Sequence, residues 1–240
     1  MKLEKIPEFW QKNTGKPSAS FALTKEPVSR SYVGGPSLGP VPVDAQGNPM
    51  RQLCALYCSE LPPIPDFPKK GILRFFLTDN DDMALDYANP TSQNWFRVLY
   101  QEEEDLLPGD CPSVSEFFPV QDQYFLQFTL EPNQPMTVCN WDFEDTCVSL
   151  KLPEDSDEIM ELLEDTFPSE AHRIGGYPNF TQDDPRYKEE LQKFDTLLLQ
   201  LNAEEDIVEI GDCGVLNFFI PKEHLKNLDF SEVLYWWDCY

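Results

Sequence analysis

The sequence predicts a strand-rich α+β protein with a few short helices, folded as a single domain over residues 1–240. Three observations predict this class. Apolar residues make up 41% of the 240 residues and include 17 Phe, enough to fill a sizeable core. The 22 prolines argue against a helical bundle, because proline interrupts helices. The chain also repeats one order of apolar and glycine motifs, which indicates an internally duplicated β unit.

Four motifs of the first half of the chain recur in the same order in the second half. Each set contains a Gly-Gly pair, an apolar segment, a segment with Phe-Phe that opens on glycine, and a segment with Val-Leu-Tyr. The pairs are YVGGP (32–36) with RIGGYP (173–178), LCALYCSE (53–60) with LLLQLNAE (197–204), GILRFFL (71–77) with GVLNFFI (214–220), and NWFRVLY (94–100) with LDFSEVLY (228–235). We expect repeat halves at about residues 30–100 and 171–240, linked by residues 101–170.

Each repeat predicts a Gly-Gly turn followed by three strands. The Phe-Phe segments are apolar throughout, which is typical of strands buried on both faces. Two copies of one unit can pack about a pseudo-two-fold axis, which would bring equivalent loops together. Any ligand site is therefore expected at the Gly-Gly loops and in the groove between the copies.

The N-terminal region predicts one short helix followed by irregular chain. Residues 1–13 would form an amphipathic helix with Ile6, Phe9 and Trp10 facing inward. Residues 14–50 are rich in proline, glycine and serine, so we expect them to be mostly irregular.

The linking segment and the C-terminus add further elements. Residues 121–131 alternate apolar and polar side chains, as a half-buried strand does. Residues 154–167 predict a helix, with Asp155 and Glu158 as a capping box. The aromatic C-terminus, VLYWWDCY, predicts a docked final strand, with Asp238 at its exposed edge.

Charge and cysteine content limit the classes of partner and compartment. The net charge of −25 disfavours binding to nucleic acid and to anionic membranes, and it favours a basic protein partner. The N-terminal segment lacks the apolar core of a signal peptide, and no apolar run is long enough to span a bilayer. An odd number of cysteines, 7, indicates reduced thiols and a cytoplasmic protein.

Three sequence features could indicate a catalytic or metal site, but the residues present do not support any of them. GPSLG (35–39) has the spacing of a nucleophile elbow, but Pro40 and Pro42 prevent the helix that must follow. Residues 79–82, Asp-Asn-Asp-Asp, lack the glycine and glutamate of a calcium-binding EF-hand loop. With only His172 and His224 in the chain, a histidine-rich metal site is excluded. We therefore predict no metal and no cofactor.

The stretch HRIGGYPNFTQDDPR (172–186) contains most of the candidate ligand-binding residues. Asp184 and Pro185 predict the N-cap and first turn of a helix over residues 184–194. Arg173 and Arg186 could pair with neighbouring acids or could clamp a carboxylate ligand, and the residues alone leave both alternatives open. The candidate ligand-binding residues are Gly35, His172, Arg173, Gly175, Gly176, Tyr177, Gln182, Asp183, Asp184, Arg186 and Asp212.

The chain resembles the YwqG-like family of uncharacterised bacterial proteins over roughly residues 30–240. The resemblance rests on VGGPSL, FPKKGILRFFL, HRIGGYPNFTQDDPR, GDCGVLNFFI and DFSEVLYWWDCY. It implies a mixed fold with a central, internally duplicated β structure, and it implies no known reaction. Some members lie near secreted-toxin systems, which would suggest an immunity or regulatory role. Relatives commonly have Trp-Pro or Tyr-Pro where this chain has Gly47-Asn48-Pro49-Met50.

Two functional hypotheses follow from the sequence. The first is a monomeric, non-catalytic module that binds a basic protein partner, as the charge and the missing catalytic motifs favour. The alternative is a small-molecule-binding protein or enzyme with its site at the Gly-Gly loops around residues 172–186. The first copy lacks the polar residues that correspond to Gln200 and Asn202, which argues against a symmetric ligand site.

Overall fold

A computed structural model of the chain describes residues 2–102, 105–109, 114–153 and 156–240. Strands dominate the described residues, and the α-helices among them are short. The strands are β1 (Lys16–Thr24), β2 (Tyr32–Val33), β3 (Arg51–Tyr57), β4 (Ile72–Leu77), β5 (Phe96–Gln101), β6 (Tyr124–Gln134), β7 (His172–Gly175), β8 (Thr196–Asn202), β9 (Val215–Ile220) and β10 (Leu234–Asp238). The α-helices are α1 (Ile6–Thr14), α2 (Phe143–Ser149), α3 (Ser156–Thr166) and α4 (Lys222–Lys226).

The ten strands form one antiparallel, nearly closed, barrel-like sheet in the order β10-β9-β8-β7-β1-β6-β2-β3-β4-β5. The edge strands β5 and β10 approach each other through side chains, since the rings of Phe96 and Tyr235 lie 5.3 Å apart. The amide of Tyr235, on the free edge of β10, donates to the carbonyl of Pro90 at 3.0 Å. Both exposed edges are thereby partly covered, as stable sheets require. The predicted strand-rich α+β class is confirmed.

The order of the strands is symmetric about the central pair β1–β6. Strands β2 to β5 extend to one side of this pair, and β7 to β10 extend to the other. Each central strand pairs with the flanking strands of the other half of the chain. β1 comes before β2 in the sequence but pairs with β7, and β6 comes before β7 but pairs with β2. Inside the sheet, the rings of Phe75 on β4 and Phe218 on β9 meet edge to face at 5.1 Å.

The inner face of the curled sheet encloses the main core. Every residue of β4 and β9 is buried, as the continuous apolar runs predict for strands covered on both faces. A second core lies outside the sheet, where Ile6 and Trp10 of α1 pack with Ile159 and Leu163 of α3. The indole of Trp10 donates to the carbonyl of Met136 at 2.8 Å, which anchors α1 beside the end of β6.

The prediction that residues 14–50 are mostly irregular was wrong for β1, one of the two central strands. Its sequence, KPSASFALT, is made largely of small residues and lacks the apolar alternation that indicates a strand. Ser18 and Ala19 are nevertheless fully buried, because strands pair with β1 on both sides. Small side chains there leave room for the loops that cross the sheet.

The predicted helix over residues 184–194 is also corrected. The structure has two 3₁₀ turns instead, Pro185–Tyr187 and Glu189–Leu191. Lys188 between them has an extended backbone, with φ −76° and ψ 126°, which interrupts the helical path. The interruption lets Leu191 pack into a small core against β8 and β9.

The other predicted helices are present with shifted ends. α1 runs over Ile6–Thr14, and α3 runs over Ser156–Thr166 with Ile159 and Leu163 buried. The predicted capping box depends on Asp155, which lies outside the described residues. Of the helices in the described ranges, none combines the length and the apolar character that a bilayer crossing needs.

Candidate functional site

A glycine pair ends β7 and turns the chain back across the sheet. Gly175 and Gly176 have φ angles of 67° and 69°, in the left-handed region that favours glycine. A Cβ atom on Gly176 would lie 1.9 Å from Oε1 of Gln134. The turn can therefore approach β6 only because neither position carries a side chain.

Buried side-chain amides hold the backbone of the loop that follows. Gln134 accepts from the Tyr177 amide at 2.9 Å and donates to the Tyr177 carbonyl at 3.1 Å. Gln200 accepts from the amide of Asn179 at 2.6 Å, and Asn217 donates to the carbonyl of Asn179 at 2.9 Å. These bonds satisfy loop groups that burial would otherwise leave without partners.

His172, a candidate base, is buried and bonded at both ring nitrogens. Its Nδ1 accepts from the amide of Asn202 at 3.2 Å, and its Nε2 lies 2.8 Å from Oε2 of Glu204. Since Nδ1 accepts a backbone N–H, the neutral ring carries its proton on Nε2 and donates it to Glu204. Burial lowers the pKa of His172, although the neighbouring carboxylate opposes that change. The ring also stacks on Phe21 at 5.5 Å.

Arg173 and Tyr177 are bonded inside the fold as well. Arg173 donates to the carbonyl of Tyr177 at 3.3 Å, and its guanidinium lies 3.6 Å from the carboxylate of Glu131. Burial lowers the pKa of Arg173 and raises the pKa of Tyr177. The Tyr177 hydroxyl donates to the carbonyl of Thr14 at 2.7 Å. Arg173 therefore ties the loop to β6, and Tyr177 ties it to the end of α1.

Asp184 and Arg186 form a buried, two-pronged ion pair. Arg186 donates from Nε to Oδ1 of Asp184 at 2.9 Å and from Nη2 to Oδ2 at 2.6 Å. The same guanidinium donates to Oδ1 of Asn140 at 3.0 Å and to the carbonyl of Phe194 at 3.3 Å, and it lies over the ring of Phe219. Asp184 also accepts from the amide of Arg186, which confirms it as the N-cap. Of the two alternatives for Arg186, the structure has the internal pairing.

Asp238 was expected at an exposed edge, and that expectation was wrong. It is 7% exposed, because the loop of residues 176–186 covers the end of β10. Its carboxylate accepts from the amides of Thr181 and Gln182 at 3.1 and 3.0 Å. Burial raises its pKa, and these hydrogen bonds oppose the change. Gln182 also donates to the carbonyl of Cys239 at 2.6 Å, whereas Asp183 is exposed.

An open cleft of about 1040 Å³ lies beside this loop, along the connection from β8 to β9. We call it the acidic cleft, because carboxylates line it and its described lining includes no lysine or arginine. Glu204 contributes to it while holding His172, and Asp212 is the one predicted site residue in its lining. The acidic residues of the lining are Glu164, Glu170, Glu204, Glu205, Asp206, Glu209 and Asp212.

The chemistry of these groups is that of binding and support. In the described ranges, no group of three or more His, Cys, Asp or Glu side chains is arranged to hold a metal ion. Burial raises the pKa of Cys139, beneath the loop, to about 11, so its thiol stays protonated near neutral pH. His172 has its proton directed to Glu204 and its lone pair occupied by a backbone amide.

A comparison of the sequence with known protein families found a match. The profile of the domain of unknown function DUF1963 matches residues 34–239. The chain belongs to this family. The DUF1963 match begins at the first Gly-Gly pair and includes the second pair, the acidic cleft and β10. A comparison with curated proteins found no match.

Gly35 lies apart from the other predicted residues within the DUF1963 domain. It lines a second cleft, together with Ser37 and Arg51, and no residue from 172–186 contributes to that lining. The candidates from His172 to Arg186 thus lie on β7 and the loop that follows it, Asp212 lines the acidic cleft, and Gly35 is separate.

Sequence reasoning missed most of the acidic cleft and the amides beneath the loop. The available signal was the run Glu204-Glu205-Asp206 directly after an apolar strand, which placed several carboxylates on one connection. No pattern identified Asn179 or Asn217, because their roles depend on strands that are distant in the sequence. Asn217 holds the loop in place from beneath, and Asn179 belongs to the loop and also lines the cleft.

Proposed function

We propose that this protein is a binding module without catalysis, of the immunity or regulatory kind, and that its acidic cleft takes a basic segment of a protein partner. One observation carries the proposal: the described lining of an open cleft of about 1040 Å³ contains many carboxylates and no basic side chain. Unpaired carboxylates around a concave surface concentrate negative potential there. A segment rich in lysine or arginine complements that potential.

The rest of the molecule supports the same partner chemistry. The net charge of −25 attracts cationic partners over long range and speeds their association at low ionic strength. The groups that could have carried catalysis near the cleft are engaged inside the fold, His172 with Glu204 and Arg186 with Asp184. A surface with many acids and few free nucleophiles or bases suits recognition better than a reaction.

The test is binding of a synthetic lysine- and arginine-rich peptide, measured by isothermal titration calorimetry at low and high salt. We expect the affinity to fall at least about tenfold between roughly 20 and 300 mM salt, because surface charges are screened. The triple variant Glu205→Gln, Glu209→Gln, Asp212→Asn should weaken the peptide by a similar factor at low salt.

A matched triple variant controls for net charge. Glu8, Glu26 and Glu144 are exposed, make no side-chain ion pair with described residues and do not line the cleft. Changing all three to glutamine lowers the negative charge equally, and we expect it to change the affinity much less than the cleft variant does. Equal losses in the two variants would show that only the overall charge matters, and the cleft would lose its role.

The internal duplication and the closer family assignment belong to the same proposal. We infer that the halves are copies of one unit, which the symmetric strand order and the contact between Phe75 and Phe218 support. We also assign the chain to the YwqG-like proteins, and we expect it to be a monomer. Its seven cysteines, an odd number, indicate reduced thiols and therefore the cytoplasm. Size-exclusion chromatography with light scattering tests the monomer.

A further inference from the structure

The second cleft, at the first Gly-Gly pair, has a different chemistry from the acidic cleft. Its volume is about 330 Å³, at the lower end of the range for small-molecule sites. Gly34 and Gly35 form one side, with φ angles of 66° and 71°. A Cβ on Gly34 would lie 2.1 Å from the carbonyl oxygen of Asp122, so glycine lets the chain segments pack this closely. We call this space the arginine cleft, after Arg51.

Arg51 is a cation without a partner in a chain that has 43 acidic and 18 basic side chains. Its side chain makes no hydrogen bond and no ion pair with any residue that the structure describes, and its buried Nε has no acceptor. By contrast, Arg173 and Arg186 each lie within 4 Å of a carboxylate, at 3.6 and 2.6 Å. An unpaired guanidinium beside a cleft is a ready site for an anion.

Ser37 offers a second polar group to the same cleft. It is only 6% exposed, and its hydroxyl has no hydrogen-bond partner among the described residues. Its backbone is fixed, because its carbonyl accepts from Gly109 at 2.6 Å, and the next amide, of Leu38, donates to Gln52 at 3.0 Å. The hydroxyl is therefore available to donate to a ligand oxygen in the cleft.

Beyond Arg51 and Ser37, the wall of the cleft has a polar part, formed by Gln52, Gln121 and Asp122, and an apolar part. Val114, Phe118 and Val120 form the apolar part, and Phe118 and Val120 are 2% and 1% exposed. A matching ligand has an apolar body and a single negative charge. A dianion fits less well, because one guanidinium cannot neutralise it.

We propose that the arginine cleft binds a small organic monocarboxylate. The guanidinium of Arg51 holds the carboxylate, the hydroxyl of Ser37 donates to one of its oxygens, and the apolar body packs on Val114, Phe118 and Val120. This site is independent of the acidic cleft and of any protein partner bound there, so either proposal can fail alone.

The test measures binding of 3-phenylpropionate by two-dimensional NMR titration of the full chain, with 3-phenylpropan-1-ol and phenyl phosphate as comparators. We expect 3-phenylpropionate to shift the amide signals of residues 34–37 and 51–52, and the alcohol and the dianion to bind at least about tenfold more weakly. Arg51→Gln should lose at least about tenfold in affinity, and Ser37→Ala about threefold.

Lys69→Gln is the matched control. Lys69 is exposed and lies outside the cleft lining, so this variant removes one positive charge and should bind like the unchanged protein. Circular dichroism and the melting temperature check that each variant folds. If Arg51→Gln does not fold, Arg51→Lys replaces it, and we expect weaker binding because the ammonium lacks the two-pronged geometry.

Four results would overturn the proposal. One is no shift with 3-phenylpropionate at about 10 mM, which corresponds to less than about 3 kcal/mol of binding. Another is equal binding of the alcohol, which would mean that only the apolar wall matters. The third is unchanged affinity in both the Arg51 and the Ser37 variants. Tighter binding of phenyl phosphate would likewise reject the monocarboxylate class.

Discussion

The two Gly-Gly loops do the same structural task with different chemistry. In the first, the amide of Leu38 donates to Gln52, and its carbonyl accepts from Arg74. In the second, the amide of Asn179 donates to Gln200, and its carbonyl accepts from Asn217. An arginine also lies over the outer Phe of the Phe-Phe pair on each side, Arg74 over Phe76 at 5.5 Å and Arg186 over Phe219 at 4.3 Å.

The two loops differ in whether the charged side chains around them have ionic partners once the backbone groups are hydrogen-bonded. Around the second loop, the charges are paired internally, as in the ion pair of Asp184 with Arg186. Around the first loop, Arg51 makes no ion pair with a described residue, although Asp122 lines the same cleft. Polar groups that crowd around a glycine turn are therefore mainly structural. A charged side chain without an ionic partner is the better indication of a ligand site.

The largest expected effect is the loss of the buried ion pair at the second loop. Arg186→Met leaves Asp184, whose side chain is 1% exposed, as an unpaired buried charge, and should lower the free energy of unfolding by about 3–5 kcal/mol. Urea denaturation measures the change. Lys193→Met breaks the exposed pair with Glu232 and should cost less than about 1 kcal/mol. Similar costs would mean that Asp184 finds water or another donor.

A smaller effect should separate the glycine turns. Gly34→Ala places a methyl group 2.1 Å from a backbone oxygen of Asp122, which cannot move aside, and should cost at least about 3 kcal/mol. Gly175→Ala meets the Cγ2 methyl of Ile64 at 2.9 Å and a backbone oxygen of Pro17 only at 3.4 Å, so it should cost about 1–2 kcal/mol of backbone strain together with a small shift of Ile64.

Gly47→Ala controls for that strain. Gly47 has φ 86° with no other atom within 4 Å of the added Cβ, so its cost should match that of Gly175→Ala. The midpoints of urea unfolding rank the three variants. If Gly34→Ala falls with the other two, the contact of the first turn with Asp122 is not tight in solution.

The smallest effect is the pH dependence of the second loop. Burial holds the pKa of His172 below its usual 6.5, so below that pH the unfolded chain binds more protons than the folded chain. The stability that His172 contributes is complete above pH 6.5 and is lost as the pH falls through the lowered value. His172→Gln should flatten this decline between pH 7.5 and 5. Unfolding curves at each pH decide the matter.

The fold could be predicted from the sequence wherever apolar period and length carried the signal. β4 and β9 were evident as apolar runs, and α1 and α3 as amphipathic stripes. β1 was missed because its burial comes from strands paired on both sides, which small residues do not reveal. The helix over residues 184–194 was predicted from a correct cap, but the extended backbone of Lys188 ends it after one turn.

The sequence indicated where polar groups crowd together, and it did not indicate their partners. The stretch from His172 to Arg186 does form a loop packed with polar contacts, yet their partners come from Glu204, Asn140 and Asp238. Asp238 was misplaced because only the folded loop covers it. No sequence pattern indicated Arg51, because whether an arginine has an ionic partner depends on its surroundings in the fold.

Composition and local pattern by themselves determined the strand-rich class, the strong negative charge, the glycine turns and the buried Phe-Phe strands. These properties depend on the number and spacing of residues, which the sequence contains in full. Only the tertiary structure decided which charges are neutralised, because each ion pair joins side chains positioned by separate turns and strands. The acidic cleft and the unpaired Arg51 are likewise properties of the fold, because residues distant in the sequence line each cleft.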